Sequence, residues 1–167
     1  YNDLTLTECL DFFARAYSIP TDQIPAKINQ TLEYVNLIQK KDSFVRHLSR
    51  GMIQRMGLAV LLIHEPESFL LDEPASGLDP MARIQLRDIL RRLSSEGKTI
   101  IISSHILSEL SGFCSHIAIM NQGKLVLQGD IDQIEKEITG IGKITITVLE
   151  NPGHAKTLIE QFPDVTL

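Results

Sequence analysis

An α/β fold is expected for this chain, on three observations. Phe69-Leu70-Leu71 and the isoleucine-rich Thr99–Ser103 are too short for helices and read as strands. Between them Asp79-Pro80 opens a long amphipathic stretch that stops at Gly97, the pattern of a helix with proline in its first turn and glycine past its end. The first third of the chain carries helical spacing instead. At 167 residues the whole has about one domain's length.

The elements follow in order. Thr5 and Glu8 have the form of a capping box, in which each side chain satisfies a backbone N–H of the first turn. Leu6, Leu10, Phe13, Ala14 and Tyr17 then recur at helical spacing, and Ile19-Pro20 stops the helix. A second helix is expected from Asp22 to Val35, with Ile28, Leu32 and Val35 on one face; Pro25 is tolerated because it falls in the first turn. Asn36–His47 is polar without a period and reads as a loop. Ser49 is a good N-cap for a helix through Leu62, and its centre is apolar on nearly every side, which predicts burial. The Phe69–Leu71 strand delivers Asp72-Glu73-Pro74, and Thr99–Ser103 is expected to be buried on both faces. His116–Met120 and Lys124–Gln128 flank Asn121-Gln122-Gly123, a hairpin signal. A short helix is expected over Ile131–Ile138, then a small-residue linker, Thr139-Gly140-Ile141-Gly142. Beyond it a strand (Ile144–Leu149), a helix (Gly153–Phe162) and a strand (Val165–Leu167) would form a small appended unit.

Charge and composition exclude several classes. Sixteen Lys and Arg against 21 Asp and Glu give a net charge of −5, which argues against a dedicated nucleic-acid binder. The longest apolar run, Met56–Ile63, has eight residues, far below the roughly 20 that span a bilayer. The start lacks the basic and apolar regions of a signal peptide. Cys9 and Cys114 form no metal or disulfide framework, in keeping with a reducing cytosol.

Four features carry chemistry. Asp72 and Glu73 stand at a strand's C-terminal end, where open α/β sheets bind ligands. An Asp there can hold Mg2+ and a neighbouring Glu can orient or deprotonate an attacking water; an acidic turn would explain the isolated pair equally well. Ser49 and Gly51 open a helix whose N–H groups and dipole suit a phosphate, although a simply capped helix is the commoner meaning of that pattern alone. Ser76-Gly77-Leu78-Asp79 reads as a tight turn and helix cap. His105 follows the next strand, and a lone histidine there is more often structural.

The order and spacing of the four change that balance. Across Leu48–His105 they resemble the signature motif, Walker B strand, D-loop and switch histidine of the ATP-binding subunit of ABC transporters. The resemblance runs back through Leu4–Val35 as a helical subdomain and forward through the Asn121–Gly129 hairpin, about 140 of 167 residues. It implies a partial P-loop NTPase (ABC ATPase) core with a helical subdomain (1–47), the signature, Walker B, D-loop and switch-histidine part (48–138) and a small α+β extension (139–167). It also implies that Asp72 coordinates Mg2+, that Glu73 acts on the hydrolytic water and that His105 contacts the γ-phosphate of ATP. Leu48, Ser49, Arg50, Gly51 and Met52 would bind the ATP held by a second, head-to-tail ATPase subunit, with Asp79 at that interface. The further implied partner is a membrane permease, with the subunit peripheral on the cytoplasmic face. Arg50 and Met52 replace the commoner Gly and Gln and look like the variant of exporter-type subunits, as does the extension after Gly142.

A phosphate-binding GxxxxGK[ST] loop requires glycine five residues before the Gly-Lys pair. Gly97-Lys98, Gly123-Lys124 and Gly142-Lys143 place Arg92, Ala118 and Glu137 there, so none fits. The chain is therefore expected to be the part of such a subunit that lacks the Walker A region, and to be inactive alone. The competing readings are a soluble ABC ATPase outside transport and an interaction module supplying only the signature helix and dimer surface.

Overall fold

The computed structural model describes residues 3–106, 114–131 and 133–134. They fall into two compact units divided between Phe113 and Cys114.

In the first unit, α1 (Leu6–Ala16) starts at the expected capping box. The Glu8 amide donates to Thr5 Oγ1 at 3.2 Å and the Thr5 amide to Glu8 Oε2 at 2.8 Å, which holds the exposed Glu8 carboxyl below its ordinary pKa. Thr5→Val should remove the cap and cost about 0.5–2 kcal/mol, read as a lower urea midpoint of the chain at unchanged slope. Asp11 and Arg15, one turn apart, pair through two contacts of 2.7 and 3.1 Å.

Helix α2 (Ile24–Tyr34) begins with Pro25 in its first turn. The Val35, Asn36 and Leu37 amides close its last carbonyls, donating to Thr31 O, Glu33 O and Leu32 O. The two carbonyls just past it are satisfied from further along the chain: Arg55 Nη1 donates to Val35 O and Asn36 O, both at 3.1 Å. Burial lowers the pKa of that guanidinium from its ordinary value. Asn36 supplies the left-handed residue that ends the helix, at φ +56°. The segment expected as a loop holds two 3-10 turns, Ile38–Lys40 and Val45–His47. The Val45 amide donates to Leu4 O at 2.9 Å and so ties it to the start of α1; local polarity concealed that tertiary bond.

Helix α3 (Arg50–Leu62) is capped by Ser49, whose hydroxyl accepts the Met52 amide. The expected burial holds at its centre: Leu58, Ala59 and Ile63 are buried, and Val60, Leu61 and Leu62 are partly buried against the core. Toward its start Gly51 and Met56 are buried, while Ile53 is 49% exposed.

Strand β1 (Ser68–Leu71), helix α4 (Pro80–Ser95) and strand β2 (Thr99–Ile102) form a βαβ unit. The strands are parallel, pairing Ser68 with Thr99 through Leu71 with Ile102. Asp79 caps α4 through a 2.9 Å bond from the Ala82 amide. Ala82, Leu86, Ile89, Leu90 and Leu93 make its buried stripe. Gly97, at φ +85°, reverses the chain while the Lys98 amide returns to Leu93 O at 3.0 Å. Phe69 and Leu71 join the core with α3 and α4, and Ile100 and Ile102 pack against it. The expectation of a strand buried on both faces is corrected: Leu70 and Ile101, partners in register, are 79% and 60% exposed. The described helices pack on one face of this two-stranded sheet, so alternation leaves the other face open.

The joint between α2 and α4 is polar and aromatic. Tyr34 donates to Glu96 at 2.9 Å, Arg92 pairs with Glu96 at 3.1 Å, and the Arg92 guanidinium lies 4.0 Å from the Tyr34 ring centre. Burial and the neighbouring carboxylate raise the Tyr34 phenol well above its ordinary pKa.

The described part of the second unit is a hairpin of β3 (His116–Asn121) and β4 (Lys124–Asp130), antiparallel, with a bulge between Ile119 and Met120. Gln122 and Gly123 have φ of 49° and 74°, the double left-handed turn that matches strand twist. Ile131 and Ile134 are buried beside it. The expected helix through Ile138 lies mostly outside the described residues, and the linker and the 139–167 extension lie wholly outside them.

Candidate functional site

Two clusters contain the residues singled out from the sequence. The first sits where β1 and β2 end. Leu71 O accepts the Ser103 amide at 2.9 Å, which carries the parallel ladder one step beyond the strands and sets Asp72 and Glu73 beside Ser103–His105. Glu73 Oε1 lies 2.8 Å from His105 Nδ1, so the expected hydrolytic carboxylate and the expected switch histidine form an ion pair when the ring is protonated. Both are accessible: their side chains are 35% and 68% exposed. Asp72 is exposed beside them and accepts a hydrogen bond from the Ser103 hydroxyl, while the Glu73 amide donates to the same hydroxyl at 2.9 Å.

Glu73 holds φ +46°, a region that non-glycine residues rarely occupy and that costs on the order of 1–3 kcal/mol. The turn Glu73–Ser76, closed by a 3.0 Å bond from the Ser76 amide to Glu73 O, keeps it there. The local chemistry fits a magnesium–nucleotide group. Mg2+ is usually held by one or two carboxylates and completes its shell with water and substrate phosphates, and Asp72 offers an accessible carboxylate already oriented by a hydroxyl. Among the described residues there is no cluster of three or more His, Cys, Asp or Glu that would cage a metal by itself.

The second cluster lies at the paired starts of α3 and α4. Ser49 and Asp79 are their N-caps, with bonds of 3.3 and 2.9 Å to the amides of Met52 and Ala82. The first-turn amides of Arg50 and Gly51 have no acceptor within their helix. A Cβ on Gly51 would stand 2.6 Å from Ala82 Cβ, so the glycine lets the two helix starts touch. Leu48 is buried beneath the cap, at 8% exposure. Leu78, one residue before Asp79, is also buried, and its carbonyl accepts from Arg83 Nε at 3.0 Å. The turn is thus anchored on both sides of Asp79.

Two residues here escaped the sequence reading. Ser103 looked like the end of a strand; the available signal was its spacing of two from His105, which puts both on one side of an extended chain. Ala82 looked like one more helix former, and only the helix crossing reveals its contact.

A βαβ unit with two carboxylates after its first strand and two capped helix starts defines the class as an α/β core, and the structures it resembles are of P-loop NTPase type. Residues 5–111 match the family model described as "AAA domain, putative AbiEii toxin, Type IV TA system". The chain is 44% identical over 138 residues to an ABC transporter ATP-binding protein of Nostoc sp., covering 80% of this chain and 41% of that protein. It is 37% identical to the Nod factor export ATP-binding protein I of Ralstonia nicotianae, covering 76% and 40%. Among solved structures, cbiO1 of Clostridium perfringens, part of the ABC transporter complex cbiONQ, superposes with a TM-score of 0.75 at 27% identity, over 93% of this chain and 61% of that one. The chain belongs to the family of ABC transporter ATP-binding proteins, and its residues 5–111 carry the AAA domain of the matching model. It spans about two fifths of the length of these two curated relatives. Among the described residues no helix is long and apolar enough to cross a membrane.

Proposed function

We propose that the whole protein hydrolyses ATP with Mg2+ to drive export through a separate membrane permease, and that this chain supplies the hydrolytic carboxylates and the dimer-facing helix starts. The observation that carries the proposal is the 2.8 Å pairing of Glu73 with His105 beside the exposed Asp72. Bound Mg2+ would neutralise phosphate charge. Asp72 is the residue that would hold it. Glu73 would orient and accept a proton from the attacking water, and His105 would fix that carboxylate and reach the terminal phosphate. Leu48 to Met52 would present the α3 start, with the Arg50 charge, to a nucleotide held by a second subunit, and Asp79 would face that subunit. The domain division in this reading is a helical part over 1–47, the catalytic part over 48–138 and an extension over 139–167. Export is supported by the Arg50-Gly51-Met52 variant and by the likeness to a Nod factor export protein. The subunit would work on the cytoplasmic face, bound to the permease and to no nucleic acid.

The test is ATP turnover by the whole protein. Expected are an absolute requirement for Mg2+ and a rate per chain that rises with protein concentration, because each site needs two subunits. The 167-residue chain alone should show no turnover, for want of a loop to seat the phosphates. Turnover by that chain that Glu73→Gln abolishes would overturn its proposed inactivity. A whole protein that hydrolyses no ATP, alone or with its permease, would overturn the function.

A further inference from the structure

We propose that Ser103 is a positioning residue for the two carboxylates, acting through a hydroxyl that is engaged on both sides. This inference rests on the hydrolytic reading of Asp72 and Glu73. A serine hydroxyl has one proton to give and lone pairs to receive. Here the proton goes to Asp72 Oδ1 and a lone pair takes the Glu73 amide at 2.9 Å. One atom therefore orients the carboxylate that would hold the metal and also pins the backbone of the next residue in its left-handed conformation, φ +46°. His105, two residues further on, secures the Glu73 carboxylate at 2.8 Å. The end of β2 thus grips Asp72 by its side chain and Glu73 by backbone and side chain together.

The division of labour is specific. His105 acts on where the Glu73 carboxylate points. Ser103 acts on where its main chain runs, and on which Asp72 oxygen remains free to face a cation. Without the hydroxyl the Glu73 amide loses its acceptor, and the strained turn loses the bond that offsets its conformational cost. The parallel register enforces the contact, because Leu71 pairs with Ile102 and the next step lies between Asp72 and Ser103.

Thr and Val have nearly the same shape and both suit a strand end, and only Thr keeps the hydroxyl. In the whole protein, Ser103→Val is expected to lower kcat by roughly tenfold to a hundredfold, the scale of one lost charge-assisted hydrogen bond. KM for ATP should move less than about threefold, since nucleotide binding has other anchors. Ser103→Thr should keep kcat within about threefold of the parent. Independently of turnover, amide hydrogen exchange at Glu73 in the nucleotide-free protein should rise at least about tenfold in Ser103→Val and stay unchanged in Ser103→Thr. Unchanged exchange in the Val variant, or equal kcat in the two variants, overturns the inference. If exchange rises as expected while the parent protein shows no ATP turnover, the positioning contact stands and the hydrolytic reading is what fails.

Discussion

Glu73→Gln is expected to lower ATP turnover by the whole protein more than about a hundredfold while leaving nucleotide binding within a few-fold. The substitution keeps the shape of the side chain and an oxygen able to accept from His105, whose Nδ1 now lies 2.8 Å from Oε1. It removes the basicity. General-base catalysis contributes roughly 10² to 10⁴ in rate, and the accessible position of the carboxylate leaves room for water beside it. The left-handed backbone and the Ser103 bond are main-chain features that glutamine preserves, so the loss should fall on kcat alone. Steady-state turnover and a fluorescent-nucleotide titration on the same preparation separate the two quantities. Retention of more than about a tenth of the parent rate would remove Glu73 from the hydrolytic role.

Gly51→Ala tests the helix starts by volume. The added methyl would meet Ala82 Cβ at 2.6 Å. Neither carbon can turn away, because both are fixed to helix backbone. Overpacking of this kind costs about 1–3 kcal/mol. The better helix propensity of alanine returns at most about 1 kcal/mol, and less in a first turn, so the clash wins. The variant chain should lose about 1–2 kcal/mol, a fall in melting temperature of roughly 2–8 °C. Gly51→Ala with Ala82→Gly moves the methyl to the other helix and restores the space and the balance of propensities. The double variant is expected within about 1 kcal/mol of the parent, a coupling visible in a double-mutant cycle. Failure of the second change to rescue the first would show that Gly51 is required for something other than this contact. In the whole protein the single variant should also depress turnover, since it splays Ser49 from Asp79, the caps of the two helices.

The legible parts of the chain were those governed by interactions over three or four residues. The Thr5–Glu8 box, the caps at Ser49 and Asp79, Pro80, the stop at Gly97 and the turn at Gln122-Gly123 all sit where local rules put them. The Asp72-Glu73 pair was legible because a strand end exposes its last side chains. Contacts across the sheet were not. Ser103 and Asp72 are 31 positions apart, and the bond between them depends on a register that period-two patterning leaves open by whole steps. Burial misled at Ile101: apolar composition tells that a face can be buried, and neighbours decide whether it is. Gly51 read as a phosphate-binding glycine, and its closeness to Ala82 required the crossing of two helices.

Arg55 carries a consequence for how the first unit comes apart. Helix α1 brings its own cap, and its first turn leans also on the segment after α2, because the Leu6 and Thr7 amides donate to Ser43 O and Lys41 O. Helix α2 closes its own last carbonyls through the Val35, Asn36 and Leu37 amides, but the two residues just past it are tied to α3, because the donors for Val35 O and Asn36 O belong to a side chain of that helix. Opening the last turn of α2 strands a half-buried cation, and opening α3 strands two carbonyls. The two helices should therefore melt and re-form as one cooperative block, with slow-exchanging amides at the end of α2 reporting the integrity of α3.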